Sequence, residues 1–218
     1  MRAVGLVKCH IAVSLDGYAA GPNQRLEVPL GDGGEGLHEW AFAARSWQEQ
    51  HGRSGGEENS DSEVVEEMTA DLGAVVMGRG MFGGGPGPWA EDPPWTGWWG
   101  DDPPFHVPVF VLTHHPRERL EMEGGTSFIF VTDGVESAIA QAKEAAGDKH
   151  VNVGGGANTI QQVLKAGLLD QLMINLVPRL LGGGERLLDG LGPGDANLEL
   201  AGVVDSPTVT HLTYRVLR

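Results

Sequence analysis

The residues best suited to chemistry lie in short polar or glycine-rich segments that follow apolar runs. Three glycines, Gly154–Gly156, separate the apolar run VNV from a helical pattern that begins with Ala157, Asn158 and Thr159. The first N–H groups of a helix have no partner inside the helix, and its N-terminus carries a partial positive charge. Glycines before such an end let an anion approach the backbone closely. We therefore interpret the segment either as a phosphate-binding turn or as a tight turn only.

Polar motifs end three other apolar runs. They are SLDG with Asp16–Gly17, MGR with Arg79, and LTHH with Thr113–His114. Ligands of open α/β sheets gather at the carboxyl ends of parallel strands. A cation, a hydroxyl group, an imidazole and a helix N-terminus would together suit a ligand with two separated phosphate groups.

These motifs require a sheet that brings the ends of its strands together. Apolar strand patterns alternate with helical patterns along the chain, starting with a strand from about Val4 to Val13 and a helix whose apolar face runs from Leu37 to Trp47. The alternation predicts one α/β domain over residues 1–218 with a mixed, mostly parallel sheet. The last two strand patterns, joined at Ser206–Pro207, predict an antiparallel hairpin at one edge.

Composition excludes several classes of function. The net charge of −15 over 218 residues argues against a nucleic-acid partner and against an anionic membrane. No segment approaches the length of apolar sequence that spans a bilayer. The single cysteine, Cys9, excludes an intrachain disulfide and a cysteine-based metal site. We expect a cytoplasmic protein that binds no metal.

A segment from Gly83 to Pro104 is dense in glycine, proline and tryptophan and cannot form long regular structure. It must pack on its own domain or on a second subunit, and it could serve as a substrate lid or as an oligomer contact. Together with the apolar run around Leu172–Leu181, this segment predicts a homo-oligomer and favours a dimer.

Four motifs, taken in order, resemble a known family. SLDGYAAG, VVMGRGMF, PVFVLTHHP and VNVGGGANTIQQVLKAGLLDQLMINLVPRLLGGGERL are similar to segments of the dihydrofolate reductase-like superfamily. Within it, the sequence is closer to the C-terminal reductase domain of the bifunctional riboflavin-biosynthesis deaminase-reductase. The resemblance covers nearly the whole chain, which is expected to be a stand-alone reductase-type domain. It implies a three-layer α/β/α fold and NADPH as cofactor.

The resemblance also implies a role for each motif. The glycine turn would hold the pyrophosphate, Arg79 would lie near the adenosine-side phosphates, and Thr113 with His114 would meet the 2′-phosphate that distinguishes NADPH from NADH. Ala12 and the loop that starts at Asp16 would cover the nicotinamide and the substrate. The implied cofactor positions are Ala12, Asp16, Gly17, Met77, Gly78, Arg79, Gly80, Thr113, His114, Val153, Gly154, Gly155, Gly156, Ala157, Asn158 and Thr159.

Hydride transfer needs the nicotinamide held close to an electrophilic carbon with water excluded, and the protein need supply only a proton donor. The resemblance implies Asp16, Glu39 and His38 as the candidate catalytic residues. Asp16–Gly17 could instead be a turn pair, and Arg79 could simply pair with a carboxylate. Trp40 could belong to the core, or its ring could stack on a flat heterocyclic substrate.

The sequence thus predicts an NADPH-dependent reductase of a small heterocyclic or ribosylamino substrate, with 5-amino-6-(5-phosphoribosylamino)uracil as the specific hypothesis. The alternatives are a dihydrofolate- or dihydropteridine-type reductase and a non-catalytic nucleotide-binding protein. The basic residues between Leu15 and Glu58 are Arg25, Arg45 and Arg53, and residues 83–108 contain no Lys or Arg. This scarcity of cations for a substrate phosphate leaves open a different substrate on the same cofactor site.

Overall fold

The computed structural model describes residues 5–90 and 94–217. Val4, where the first strand was expected to begin, lies outside the described residues. The strands are β1 (Val7–Ser14), β2 (Tyr18–Ala20), β3 (Leu72–Gly78), β4 (Pro108–Leu112), β5 (Leu120–Glu121), β6 (Ser127–Val131), β7 (His150–Gly155), β8 (Gln171–Val177), β9 (Glu185–Arg186), β10 (Asn197–Asp205) and β11 (Thr210–Leu217). The helices are α1 (Glu39–Ala43), α2 (Arg45–Gln50), α3 (Ser60–Thr69), α4 (Arg79–Phe82), α5 (Val135–Ala146) and α6 (Ala157–Lys165).

Nine strands form the main sheet in the order β10-β11-β8-β1-β7-β3-β4-β6-β5, and β2 pairs with β9 separately. The pairs β1–β7, β7–β3, β3–β4 and β4–β6 are parallel. The hairpin of β10 and β11 is antiparallel and ends the sheet at one edge. The predicted mixed, mostly parallel sheet with a C-terminal hairpin is confirmed.

The described chain forms two compact units. The first contains residues 5–9 and 72–170, and the second contains residues 10–71 and 171–217. The single domain predicted over residues 1–218 stays a prediction. Over residues 5–90 and 94–217, no helix is both long enough and apolar enough to cross a membrane.

The first unit is built around the apolar strands β3, β4 and β6. Val75, Met77, Val109, Val111 and Phe128 are fully or almost fully buried between them and their neighbours. Helix α5 packs on β3 and β4 through the alanines and the isoleucine of its apolar stripe, which is buried as its spacing predicts. This core fixes the ends of three parallel strands.

The Trp-rich segment packs on this same unit. Trp89 meets Phe82 edge-on with ring centroids 5.7 Å apart, and Trp99 meets Phe105 at 4.9 Å. The indole N–H of Trp95 donates to the Phe82 carbonyl at 2.9 Å. Residues 91–93 of the segment lie outside the described residues. Of the two packing partners that the sequence left open, the structure shows the segment's own unit, and its roles as lid or oligomer contact stay predictions.

The second unit places helices α1–α3 against β8. Trp40, Val64, Val65, Met173 and Val177 form its core. The prediction of a single helix through residues 37–47 is wrong, because the segment forms two helices. Most of the predicted apolar face is buried as expected. Ala44 has extended backbone (φ −67°, ψ 138°) and separates α1 from α2. Here the backbone forms a bridge with Glu57, whose N–H donates to the Ala43 carbonyl and whose carbonyl accepts from the Arg45 N–H. These bonds replace the hydrogen bonds that a continuous helix would make.

Candidate active site

In the first unit, three neighbouring parallel strands end at the same level. Strand register places Met77 beside Gly155 and Gly78 beside Leu112. The loops that follow β7, β3 and β4 therefore leave the sheet side by side. The structure thus brings together the glycine turn, Arg79 and Thr113, which the sequence placed at separate strand ends.

The glycine turn leads directly into α6. Gly155 has φ +129°, which a residue with a side chain rarely adopts, and the Gly155–Gly156 peptide bond is cis. Gly156 precedes the first helical residue, and no side chain caps the N-terminus of the helix. Helix α3 differs, because Asn59 there accepts hydrogen bonds from the backbone N–H groups of Asp61 and Ser62. The first-turn donors of α6 thus remain available to an anion.

Glycine at position 78 allows this helix end to lie close to β3. A Cβ atom on Gly78 would lie 2.4 Å from Oγ1 of Thr159, which is closer than a real side chain can approach. Thr159 is buried, whereas Asn158 is exposed and its amide oxygen accepts from the Gln162 side chain at 2.6 Å. Gly78 is therefore needed for close approach of strand and helix, as glycines are in phosphate-binding turns.

Two arginines share the ring of Trp89. The guanidinium carbon of Arg79 lies 3.3 Å from the centroid of the Trp89 ring, and that of Arg117 lies 5.0 Å from the same centroid. Among the described residues, no carboxylate oxygen lies within 4.0 Å of either guanidinium group. Burial, and secondly the positive charge of Arg117, lowers the pKa of Arg79. We call Arg79, Trp89 and Arg117 the arginine site.

Within the described part of the chain, the hydrogen bonds of the two guanidinium groups of the arginine site go to neutral carbonyl groups. Arg79 Nη2 donates to the Gly84 carbonyl at a long 3.4 Å, and Arg117 Nη1 donates to the Trp95 carbonyl at 2.5 Å. Nε of Arg79 is buried and has no hydrogen-bond partner among residues 5–90 and 94–217. Two half-buried cations held together without a counter-charge among the described residues suit an anionic ligand, since such a ligand would remove their mutual repulsion.

Thr113 and the histidines border the arginine site. Oγ1 of Thr113 accepts from the backbone N–H of His115 at 3.1 Å, and the His115 carbonyl accepts from the Trp89 indole at 2.9 Å. The side chain of His114 is exposed. Sequence reasoning stopped at His114 and missed Arg117. The signal available in the sequence was the arginine of THHPR, three residues after His114. Nothing in the sequence indicated that it lies beside Arg79.

In the second unit, Asp16 acts as a hydrogen-bond acceptor. Its carboxylate accepts from Ser14 Oγ at 2.6 Å, from the Gly182 N–H at 2.7 Å and from the Leu181 N–H at 3.1 Å. The Ser14 hydrogen bond, followed by these backbone donors, lowers the pKa of Asp16 to about 2. The carboxylate is therefore ionised at neutral pH and holds the segment at residues 181–182. Its assignment as a catalytic residue stays a prediction.

The other candidates for proton transfer and substrate contact lie on or before α1. The exposed side chain of Glu39 forms an ion pair with Arg179. His38 stacks on Phe42, and burial lowers its pKa to about 4. Trp40 is buried, donates its indole N–H to the Leu37 carbonyl at 2.9 Å, and belongs to the core. Its position supports the core interpretation, and the catalytic and substrate roles of the three residues stay predictions.

Ala12 and Gly17 flank Asp16. Ala12 is buried in β1 within the same core as Trp40. Gly17 has φ +89°, and its N–H donates to the Ser14 carbonyl at 2.9 Å, as expected for a turn after the strand. The turn interpretation of Asp16–Gly17 is therefore correct for the backbone, while the Asp16 carboxylate holds a second loop in addition.

The sequence matches one protein family over almost its whole length. The profile of the RibD C-terminal domain matches residues 6–212. No curated protein matches the sequence.

Solved structures share the fold at low sequence identity. A putative riboflavin biosynthesis protein from Shewanella sp. PV-4 is 23% identical, with a TM-score of 0.64 over 98% of this chain and 99% of that chain. A Thermotoga maritima diaminohydroxyphosphoribosylaminopyrimidine deaminase/5-amino-6-(5-phosphoribosylamino)uracil reductase is 17% identical, with a TM-score of 0.56 over 98% of this chain and 57% of that chain. Dihydrofolate reductase from Enterococcus faecalis, complexed with NADP(H), is 17% identical, with a TM-score of 0.52 over 99% of both chains. The predicted dihydrofolate reductase-like fold is confirmed.

Proposed function

The chain belongs to the RibD C-terminal domain family, and on that premise we propose that it is an NADPH-dependent pyrimidine reductase of riboflavin biosynthesis. The specific substrate proposed is 5-amino-6-(5-phosphoribosylamino)uracil, the compound for which the reductase activity of the Thermotoga maritima protein is named. The proposal includes the cytoplasmic localisation that the sequence predicts. The family match supports the class of reaction, and the arginine site supports the choice of cofactor.

The residues of the first unit fit a dinucleotide. The uncapped N-terminus of α6, and glycines that leave the backbone accessible before it, would hold a pyrophosphate. When bound, NADPH supplies the hydride. The chain's own part in this unit is to bind and orient the cofactor, because no described residue of the turn carries an ionisable side chain.

The arginine site is the observation that carries the preference for NADPH over NADH. The protein has a net charge of −15, so an anion meets a repulsive overall field unless cations are concentrated locally. Arg79 and Arg117 supply that concentration, and they face no carboxylate among the described residues. A 2′-phosphate is the group that NADPH has and NADH lacks, and guanidinium groups bind phosphate with charge-assisted hydrogen bonds.

We propose that a residue of the second unit handles the proton. The ionised Asp16 can accept hydrogen bonds at neutral pH but has no proton to donate. Burial keeps His38 in its neutral form near pH 7. Of the three predicted catalytic residues, His38 and Glu39 remain as candidates for handling the proton, and Asp16 is assigned to positioning the loop.

A second candidate substrate is the same pyrimidine without its phosphate group. It is favoured by the ion pairs that two of the three cations available for that phosphate already form. Arg25 pairs with Asp32 at 2.9 Å, and Arg45 pairs with Glu58 at 2.9 Å. These exposed pairs are weak and exchange readily, so the phosphorylated compound stays the first proposal.

Titration with NADPH and NADH, followed by tryptophan fluorescence, tests the cofactor proposal. We expect wild-type protein to bind NADPH more tightly than NADH. Loss of one charge-assisted contact costs about 1.5–3 kcal/mol, so Arg79→Met and Arg117→Met should each weaken NADPH binding by roughly 10- to 100-fold and leave NADH binding unchanged. Arg119→Met is the matched control, because Arg119 is exposed and pairs with Glu121. Equal affinity for the two cofactors would overturn the role of the arginine site.

Oxidation of NADPH in the presence of the phosphorylated and the dephosphorylated pyrimidine then tests the substrate. Turnover of the phosphorylated compound alone would support the first proposal, and turnover of both at similar kcat/KM would support the second. Tight NADPH binding without turnover of either would overturn both, and would favour a non-catalytic nucleotide-binding protein.

A further inference from the structure

A methionine side chain lies against the glycine turn in the first unit. Met81 belongs to α4 and follows Arg79 by two residues. A Cβ atom on Gly154 would lie 3.4 Å from both Sδ and Cε of Met81, and a Cβ atom on Gly155 would lie 3.6 Å from Sδ. The thioether therefore fills the space into which side chains at these two positions would point. A sulfur atom thus borders the backbone that leads into α6.

Among the methionines that the structure describes, Met81 combines access to solvent with contact to the glycine turn. Met77 and Met173 are buried, whereas Met68, Met81 and Met122 are half-buried. Met68 packs on the core of the second unit. Met122 packs on the same core as Met81, but it precedes β6, at the amino ends of the parallel strands, whereas the glycine turn follows the carboxyl ends. Met122 is therefore a matched reference for Met81.

The other sulfur group of the chain is protected. Cys9 is buried, and burial raises the pKa of its thiol, so the reactive thiolate is scarce near neutral pH. Oxidation by a dilute peroxide should therefore occur at the half-buried methionines, since susceptibility follows exposure.

The thioether of Met81 can react with hydrogen peroxide. The sulfur lone pair attacks one oxygen of the peroxide, an S–O bond forms and the O–O bond breaks. The departing hydroxide takes the proton of the new S–OH group, which leaves a sulfoxide and water. The sulfur is oxidised and the peroxide is reduced. Methionine sulfoxide reductases reverse the change, so the modification is not permanent.

Oxidation would place a polar oxygen at the glycine turn. A sulfoxide oxygen carries partial negative charge and accepts hydrogen bonds, whereas a thioether is apolar and flexible. No side chain caps the N-terminus of α6, so its first N–H groups are available to this oxygen. The oxygen would compete with a phosphate for these donors and would repel it. A ligand whose phosphates use the turn should therefore bind less tightly after oxidation.

The effect should be confined to the glycine turn, because the neighbouring cation faces another group. The guanidinium carbon of Arg79 lies 3.3 Å from the centroid of the Trp89 ring, whereas the Met81 thioether lies against Gly154. Oxidation of Met81 should therefore leave the arginine site able to bind a phosphate.

We propose that Met81 is a site of reversible oxidation and that its sulfoxide blocks the glycine turn, so that peroxide prevents dinucleotide binding. The inference rests on the proposed NADPH-dependent function and adds a means of regulating it. The unmodified thioether leaves the turn open, since an unbranched side chain can move aside for a ligand.

Peroxide treatment of the full chain tests the proposal. Peptide mass spectrometry measures the sulfoxide at each methionine, and calorimetry measures NADPH affinity. As Met81 is converted, we expect wild-type affinity to fall roughly 10-fold or more, the effect of about one hydrogen bond to a charged group, and sulfoxide reductases to restore it. Met81→Leu should have the same affinity before and after peroxide. Met122→Leu is the matched control and should lose affinity as wild type does.

Adenosine 2′-phosphate distinguishes a local effect from general damage, because it has the 2′-phosphate of NADPH but no pyrophosphate. We expect its affinity to be the same before and after peroxide. A Met81→Gln variant, which places an amide oxygen near the turn without any oxidant, should weaken NADPH binding and leave adenosine 2′-phosphate binding unchanged.

Three outcomes would overturn the inference. They are unchanged NADPH affinity when Met81 is fully oxidised, equal loss of affinity for both ligands, and loss of NADPH affinity by peroxide-treated Met81→Leu. Failure of the proposed function has a different signature, because untreated protein would then not bind NADPH at all, and the inference would fall with it.

Discussion

Two loops that follow strands of this protein differ in whether their charged side chain has hydrogen-bond partners within the chain. After β1, the carboxylate of Asp16 is surrounded by donors of the same chain and accepts from a hydroxyl and two backbone N–H groups. After β3, Arg79 lies beside a second cation and an aromatic ring, and its Nε has no hydrogen-bond partner in the described part of the chain. The first charge is used within the fold, and the second remains available to a ligand.

The difference is the reason why we assign a structural role to the first loop and propose the second as a binding site. A charged group that already has its hydrogen bonds lowers the free energy of the folded state and gains little from a ligand. A half-buried cation without a counter-charge costs folding free energy and recovers it when an anion binds. Changes at the two kinds of site should therefore affect different measurements.

The largest effect is expected where a buried charge depends on an internal partner. His211 Nε2 lies 2.9 Å from Asp61 Oδ1, His211 Nδ1 lies 2.7 Å from Asn175 Oδ1, and all three residues are buried. His211→Leu leaves the Asp61 carboxylate buried without this partner, so urea unfolding should show a loss of about 3–5 kcal/mol. The same strand offers a control in Arg215→Leu, which breaks the exposed pair with Glu199 and should cost less than about 1 kcal/mol.

A double variant separates the lost hydrogen bond from lost packing. Asp61→Ala/His211→Leu removes both polar groups and should be more stable than His211→Leu alone, because no buried carboxylate then lacks a partner. If the double variant is less stable than either single variant, the two side chains do not act as a pair.

An intermediate effect, on binding and not on stability, is expected at the arginine site. Arg79→Met keeps the packing of the aliphatic stem and removes a cation that repels Arg117. Its free energy of unfolding without cofactor should stay within about 1 kcal/mol of wild type, while NADPH affinity falls roughly 10- to 100-fold. Calorimetric unfolding with and without NADPH measures both quantities. A large loss of stability without cofactor would contradict the distinction between the two loops.

The smallest effect is expected at Asp16, and its sign depends on pH. The pKa of Asp16 falls from 3.8 to about 2 on folding, so its charge stabilises the protein above pH 3.8 and this contribution disappears as pH falls toward 2. Asp16→Asn should therefore lower Tm near neutral pH, and the difference from wild type should shrink between pH 4 and pH 2. Asp133→Asn, at an exposed aspartate, is the control and should give a small difference at every pH. A difference that persists unchanged at pH 2 would show that the charge is not responsible.

The sequence predicted the arrangement of the strand ends because that arrangement depends on local patterns. Alternating strand and helix signals predict parallel strands, and parallel strands place their following loops at one edge. Register in the structure brings Met77 beside Gly155 and Gly78 beside Leu112, as that inference requires. The three glycines were correctly placed before a helix, although their binding of pyrophosphate stays a prediction.

In other regions, contacts between residues far apart in the sequence determine the structure, and the sequence pattern did not predict them. The helix expected through residues 37–47 breaks at Ala44 because backbone from residue 57 forms a bridge there, and helical periodicity contains no sign of such a partner. The sequence left open whether the segment rich in tryptophan packs on its own domain or on a second subunit. Its rings pack on Phe82, Phe128 and Phe130 of the same unit.

The sequence by itself determined the family, the mixed sheet with its C-terminal hairpin, and the position of the glycine turn, because these depend on residue order and short-range periodicity. Only the tertiary structure decided which charges have partners. Asp16 meets backbone N–H groups 165 and 166 residues farther along the chain, and Arg117 shares an aromatic ring with Arg79. Distance and burial determine the free energy of a charge, and both are set by residues that are remote in sequence.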